Sequence, residues 1–208
     1  MRVLAFLFAL LLCSPMVFAK KLHGQVIEVF DGDTVTLRDQ SNIQTKIRMA
    51  GIDAPETSPV PEYSQPFGQQ AKENLSKLVF GKTVEVLWSK KDKYGRTVGK
   101  ILVNGQDANL HQVTSGLAWH YKAYEKEQRV ADRRSYAQAE LNARTAHIGL
   151  WHDTNPIPPW DYRHGTGEAA GIRKALLEQS CPCSSGTSCI GPKGGNYCLS
   201  DSGKKRYQ

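Results

Sequence analysis

The chain has 208 residues, with 27 lysines and arginines against 20 aspartates and glutamates, a formal net charge of +7. This length suits one sizeable domain with a small appendage, and the charge suits a polyanionic partner, either nucleic acid or an anionic cell envelope. The sequence contains no phosphate-binding glycine loop, no Ser/His/Asp or Cys/His arrangement and no histidine spacing typical of a metal site. It therefore does not indicate the enzyme classes that depend on those motifs.

Residues 1–19 have the pattern of a secretory signal peptide. A basic residue precedes an apolar stretch over residues 3–12, and a small-residue cleavage site ends at Ala19. The apolar stretch is too short to cross a bilayer, and Cys13 follows a leucine rather than the small residue of a lipoprotein site. We expect export to the periplasm or the medium, cleavage after Ala19 and no stable membrane insertion.

The mature chain begins with two predicted strands, residues 21–30 and 34–37, joined by a tight turn at Asp31-Gly32. The core candidates in these strands are Val26, Ile27, Val29, Phe30, Val35 and Leu37. Asp33 follows the turn and places a carboxylate at the start of the second strand, where the turn itself does not require one.

A strand and a charged loop follow at residues 43–56. The residues that alternate on one face of the strand are Ile43, Thr45, Ile47 and Met49. A glycine and a proline then form a loop that presents Asp53 and Glu56 beside Arg48. A guanidinium and two carboxylates this close can clamp a phosphate, hold a hard cation and orient a water. A surface salt bridge is the alternative interpretation.

The next segments predict three helices and two more strands. The predicted elements are a helix from Pro66 to before Gly81, strands 83–88 and 96–103, a short helix over 107–115 and a longer helix over 125–147. The stripe predicted for the buried face of the long helix is Val130, Ala137, Leu141 and Ile148. Five short strands with interspersed helices indicate a small barrel with packed helices rather than a parallel sheet.

The C-terminal part divides into a proline-rich exit and linker, residues 154–168, and a tail, residues 169–208, with a helix predicted over 169–178. Trp160 and Tyr162 are expected to pack back onto the domain. The cysteines of the tail are Cys181, Cys183, Cys189 and Cys198. Two disulfides are expected, because the number of cysteines is even and the protein is predicted to be exported. A zinc site is the alternative, but the paired C-x-x-C spacing typical of zinc sites is missing.

Three motifs occur in a specific order: Asp31-Gly-Asp-Thr34, Arg48-x4-Asp53-Ala-Pro-Glu56 and Asp92-Lys-Tyr-Gly-Arg96. Followed by Gly116-Leu-Ala and the long helix, they resemble the thermonuclease family, the staphylococcal-nuclease-like domains, over about residues 22–153. The resemblance implies an α+β, mainly β fold for residues 20–153. That fold is an OB-fold five-stranded barrel with about three packed helices, to which the disulfide-containing tail is attached.

The resemblance also implies a calcium-dependent endonuclease, a phosphodiesterase that hydrolyses DNA and RNA to products ending in 3′-phosphate. The positions that match the family's catalytic residues are Arg48, Glu56 and Arg96. The positions that match its calcium ligands are the Asp33 and Asp53 carboxylates and the backbone carbonyl of Ala54, where the family often has threonine. The positions that match its substrate-binding residues are Lys93, Tyr94 and Tyr124, while Lys122 stands where a second tyrosine is expected and Tyr121 lies beside it.

Phosphate contacts and base stacking predict how the substrate is chosen. The lysines in residues 89–96 can bind the phosphates of the substrate, and Tyr94 or Tyr124 can stack on its bases. We therefore expect little sequence specificity, a preference for single strands and a monomer. Two hypotheses compete with the nuclease: a non-catalytic nucleic-acid-binding OB-fold module, which predicts the loss of a charged site residue, and an envelope-associated protein that acts through its tail.

Overall fold

The computed structural model describes residues 20–58 and 64–164, together with residues 183, 188–190, 196–199 and 205–207. The predicted signal peptide and the helix predicted over 169–178 lie outside these residues. The strands are β1 (Lys20–Val29), β2 (Thr34–Arg38), β3 (Gln44–Met49), β4 (Ile52–Asp53), β5 (Thr83–Lys91), β6 (Thr97–Val103), β7 (Gln106–Asp107), β8 (Trp119–His120), β9 (Cys189–Ile190), β10 (Asn196–Leu199) and β11 (Lys205–Tyr207). The helices are α1 (Gly68–Val79), α2 (Ala108–Thr114), α3 (Val130–Thr145) and α4 (Pro159–His164), with 3-10 helices at Lys122–Glu127 and Gly149–His152.

Strands β1, β2, β3, β5 and β6 form a closed five-stranded barrel. The long strand β1 pairs antiparallel with β2 through one half and with β5 through the other, and β5 pairs antiparallel with β6. A parallel pairing of β3 with β6, with Ile47 opposite Thr97, closes the barrel. The α+β class and the barrel predicted from the sequence are confirmed.

Apolar side chains from all five strands fill the barrel, joined by side chains from α1 and α2. Predicted core residues that are buried are Val26, Val29, Val35 and Leu37, whereas Ile27 and Phe30 are only half-buried. Along β3, Ile47 and Met49 face the core. Ile43, which the alternation placed at the start of the strand, precedes it and is 60% exposed.

The long helix differs from its prediction in both its start and its buried face. Residues 122–127 form a separate 3-10 helix, so α3 begins only at Val130. The predicted apolar stripe is exposed, and the buried face is Tyr136, Glu140 and Ala143. Burial of Glu140 is possible because its carboxylate accepts from the His120 N–H at 3.2 Å and pairs with Lys122 at 3.1 Å.

A second, smaller apolar cluster lies beside the barrel and holds α4. Trp119 contacts Trp151 and Trp160 edge to face, with ring centroids 4.4 and 5.4 Å apart. Tyr162 is buried. The predicted packing of these exit aromatics is confirmed. No helix within the described ranges is both long and apolar enough to cross a membrane.

The described residues of the tail include a disulfide between Cys183 and Cys198, with an S–S distance of 2.05 Å. Strand β10, which carries Cys198, pairs antiparallel with β9 and β11. A disulfide-containing tail is therefore confirmed. Cys181 lies outside the described residues.

Candidate active site

The turn between β1 and β2 fixes Asp33 against the start of the next functional loop. A Cβ at Gly32 would lie 2.6 Å from the Cβ atoms of both Ala54 and Ala71, so only glycine allows this close approach. The buried Gln112 side chain donates to the Gly32 carbonyl at 2.7 Å. Asp33 Oδ2 in turn accepts from the Ala54 N–H at 2.8 Å. Two segments 21 residues apart in sequence therefore meet at this carboxylate.

Arg48, at the end of β3, is the centre of a cluster of charged side chains that includes Asp33 and Asp53. Its Nη2 pairs with Asp53 Oδ1 at 2.7 Å and with Asp33 Oδ2 at 3.1 Å. Its Nη1 donates to the Met49 and Ile52 carbonyls at 2.8 and 2.9 Å. Burial alone would lower the pKa of Arg48, but the charges of the two aspartates outweigh it and raise the pKa. Arg48 is therefore charged and engaged at both terminal nitrogens.

The chain reverses between Arg48 and Asp53 through a turn that needs a glycine. Gly51 has φ +73°, in the left-handed region that side chains other than glycine rarely adopt. The buried Asn109 side chain donates to the Ala50 carbonyl at 2.9 Å and accepts from the Ile101 N–H at 3.0 Å. This amide joins the turn to β6 and keeps Asp53 beside Arg48.

Glu56 is positioned by a buried glutamine rather than by regular secondary structure. Gln65 Oε1 accepts from the Glu56 N–H at 3.1 Å, and the Gln65 N–H donates to the Glu56 carbonyl at 2.9 Å. The same side chain donates to the Ile157 carbonyl at 2.6 Å. Glu56 is therefore tied to the proline-rich exit as well as to its own loop.

Arg163, in α4, completes the cluster and was not predicted from the sequence. Its Nη2 contacts Asp53 Oδ2 at 2.7 Å, and its Nη1 contacts Asp53 Oδ1 at 3.1 Å and Glu56 Oε1 at 2.6 Å. The exit segment thus supplies a second guanidinium to the carboxylates. No motif marked this residue, because its role depends on where α4 packs.

Negative charge exceeds positive charge in the cluster. Burial raises the pKa of Asp53 and of Glu56 above the ordinary range despite their pairing with Arg163. Burial and the neighbouring charge of Asp33 raise the pKa of Asp31 to about 8. Even with Asp31 neutral, the three carboxylates that contact the arginines, those of Asp33, Asp53 and Glu56, outnumber the two guanidinium groups, and the site favours a further cation.

The donor set fits a hard divalent cation. Asp33 and Asp53 are 5% and 0% exposed and contact the same guanidinium nitrogen, so both can face one common ion. Within the described residues, no group of three or more His, Cys, Asp or Glu side chains is arranged to hold a metal ion by itself. Carbonyl, water or substrate oxygens would therefore have to complete the shell, as calcium allows.

Arg96 lies beside this cluster rather than inside it. It precedes β6, whose Val98 pairs with Arg48 in the parallel register. Its Nε donates to Asp92 Oδ2 at 2.7 Å, and its guanidinium carbon lies 5.5 Å from the centre of the Tyr94 ring. Lys93 Nζ lies 5.0 Å from the centre of the same ring, and Tyr94 is 72% exposed. These predicted residues form one exposed, basic turn.

Tyr124 belongs to a row of aromatic rings that leads to α4. Its ring centre lies 5.5 Å from that of Tyr121, which lies 5.4 Å from that of Trp160. Lys90 Nζ is 5.0 Å from the Tyr124 ring, which is 53% exposed. Burial, together with the charge of Asp53, raises the pKa of Tyr121. This row therefore runs from an exposed aromatic side chain to the vicinity of the carboxylates.

Comparison with known proteins agrees with the motifs. A family model described as Staphylococcal nuclease homologue matches residues 46–153. A protein of Haemophilus influenzae named uncharacterized endonuclease is 41% identical over 139 residues, which cover 67% of this chain and 71% of that protein. An uncharacterized endonuclease of Escherichia coli is 35% identical over 156 residues, covering 74% and 94%. A micrococcal nuclease of Shigella flexneri is 35% identical over 157 residues, covering 71% and 83%.

Proposed function

The chain belongs to the staphylococcal nuclease homologue family and is a nuclease, and we propose that it is an exported, calcium-dependent endonuclease. Its substrates are DNA and RNA, preferably single-stranded, and its products end in 3′-phosphate. The observation that carries the proposal is one charged cluster, in which Arg48 contacts Asp33 and Asp53 and Arg163 joins Asp53 to Glu56. Export is inferred from the signal-peptide pattern of residues 1–19.

Glu56 is the proposed general base. Its side chain is 34% exposed, so water can reach it, and its backbone is fixed by Gln65 on both sides. In the proposed step it takes a proton from the water that attacks phosphorus. The bond between phosphorus and the 5′ oxygen breaks, and the leaving oxygen takes a proton from solvent, which leaves a 3′-phosphate and a 5′-hydroxyl.

Calcium is the proposed cofactor, held by the carboxylates of Asp33 and Asp53 and the carbonyl of Ala54. When bound, calcium polarises a phosphoryl oxygen and offsets negative charge in the transition state. The excess of carboxylates over arginines in the cluster, three against two, supports this proposal.

Arg48 and Arg96 are the proposed phosphate-binding residues. Asp92 holds the Nε edge of Arg96, and this orientation leaves its terminal nitrogens for phosphate oxygens. Both terminal nitrogens of Arg48 have protein partners, so a phosphate oxygen must replace a carboxylate there. Lys93, Tyr94 and Tyr124 are proposed to contact the backbone and bases of the substrate, since these side chains combine charge with exposed rings.

Glu56→Gln tests the proposal in an assay for acid-soluble nucleotides released from single-stranded DNA, with calcium or with a chelator. The amide keeps the size of the side chain but cannot accept the proton, so kcat should fall on the order of 10²- to 10⁴-fold. Glu73→Gln, at an exposed site on α1, is the matched control and should retain full activity. DNA binding without calcium-dependent hydrolysis in the unaltered protein would favour the non-catalytic binding module instead.

A further inference from the structure

Arg163 occupies the carboxylate oxygens that the proposed function requires for the metal ion. It contacts both oxygens of Asp53, at 3.1 and 2.7 Å, and Glu56 Oε1 at 2.6 Å. Asp53 has no exposed surface, and its Oδ1 is also bound by Arg48. Guanidinium groups therefore make three contacts with Asp53, two on Oδ1 and one on Oδ2.

A divalent cation competes with Arg163 for Asp53 in this arrangement. The three guanidinium contacts use three of the about four lone-pair sites of the Asp53 carboxylate. Calcium binds carboxylate oxygens at about 2.3–2.6 Å, so it would share its oxygen with a guanidinium group at close range. Calcium would also add a third positive group at a buried carboxylate that two guanidinium groups already contact, and it would repel both. We therefore expect one arginine to yield an oxygen when calcium binds to Asp53.

Arg163 is better suited to leave than Arg48. The Arg48 side chain is 15% exposed and donates to two backbone carbonyls of its own turn. The Arg163 side chain is 39% exposed and reaches the cluster from α4, a helix of six residues. Water can solvate the released guanidinium of Arg163 at lower cost than that of Arg48.

We infer that Arg163 is a tethered counter-ion that holds Asp53 and Glu56 in the metal-free enzyme and is displaced when calcium binds. The strength of this contact then sets the calcium concentration at which the nuclease becomes active. The inference rests on the proposed calcium dependence and adds to it a residue outside the matched segment 46–153.

The packing of α4 keeps Arg163 available after release. Trp160 contacts Trp119 and Tyr121, with both pairs of ring centres 5.4 Å apart, and the Gln65 side chain binds the Ile157 carbonyl. The long arginine side chain can therefore swing away while its helix stays in place. If Arg163 holds the carboxylates in about 90% of the metal-free molecules, the apparent calcium affinity is about tenfold weaker than that of the form in which Arg163 is released.

Calorimetric titration of calcium into the purified protein tests the inference directly. Arg163→Gln removes the competing charge and should lower the apparent dissociation constant for calcium roughly tenfold. Arg163→Lys keeps the charge but loses the two-pronged contact, so its affinity should lie between those of Arg163→Gln and the unaltered protein. Arg134→Gln, at an exposed site on α3, makes the same change in net charge and should leave the affinity unchanged.

Equal or weaker calcium binding by Arg163→Gln, with the unaltered protein binding calcium, would overturn the inference and indicate that Arg163 only positions the carboxylates. A gain of equal size in Arg134→Gln would overturn it as well, because general electrostatics would then explain the effect. If neither the unaltered protein nor any variant binds calcium, the proposed calcium dependence fails, and the inference fails with it.

Thermal unfolding of each variant establishes that the titrated protein is folded. If Arg163→Gln does not fold, Arg163→Lys decides by the same criterion.

Discussion

Replacement of Arg96 by lysine separates the charge of this residue from its planar fork. The arginine Nε is held by Asp92 Oδ2 at 2.7 Å, and the side chain is 28% exposed. Burial alone would raise the pKa of Asp92, but hydrogen bonds from the Arg96 side chain and from the Arg96 and Tyr94 N–H groups outweigh it and lower the pKa. Asp92 therefore stays ionised at neutral pH and keeps the guanidinium oriented.

The expected cost of Arg96→Lys follows from losing one oriented pair of donors. Removing a single preorganised donor to a developing oxyanion costs about 10²- to 10³-fold in kcat, or about 2.7–4 kcal/mol. Lysine retains the positive charge, so KM should change much less than kcat. The loss should therefore be seen mainly at saturating substrate.

The assay is initial-rate hydrolysis of single-stranded DNA in calcium over a range of substrate concentrations, which yields kcat and KM separately. Arg38→Lys is the matched control, because Arg38 is an exposed arginine at the end of β2. Its kinetics should equal those of the unaltered protein. A kcat for Arg96→Lys within about threefold of the unaltered value would remove Arg96 from the chemical step and refute the role given to its fork.

Two further predictions concern stability. Gly32→Ala should lower the free energy of unfolding in urea by about 1–3 kcal/mol, because its Cβ would lie 2.6 Å from those of Ala54 and Ala71; unchanged stability would mean that the turn moves freely. Tyr136→Phe should remove a pH dependence: burial and the hydrogen bonds to Asp107, at 3.0 and 2.9 Å, raise the phenol pKa in the folded state. The unfolded chain ionises this phenol near pH 10, so above that pH the unaltered protein should lose about 1.4 kcal/mol per pH unit relative to Tyr136→Phe. Parallel stability curves for the two proteins between pH 10 and about pH 11 would contradict this reasoning.

Local sequence patterns were sufficient for most of the barrel. Alternation placed Val26, Val35 and Leu37 inside, and turn residues separated the strands correctly. The pattern failed where burial depends on polar partners. Glu140 is buried in α3 because His120 and Lys122 meet its carboxylate, a compensation that the apolar stripe of the helix could not indicate.

The candidate site divides in the same way. The motifs identified Asp33, Arg48, Asp53 and Glu56, which contacts in the structure bring together. The residues that support them were not predicted, since Gln65, Asn109 and Gln112 act through backbone carbonyls and N–H groups that no side-chain motif encodes. Their role follows from the close packing of turns and helices around the cluster.

The sequence by itself determined the barrel, the identity of the charged residues and the family, because alternation and short motifs are local properties of the chain. Only the tertiary structure decided how those charges are paired. Arg163 follows Asp53 by 110 residues, and it reaches that carboxylate because the Trp119, Trp151 and Trp160 cluster docks α4 beside the site. Contacts over such separations depend on packing in three dimensions, which local periodicity does not contain.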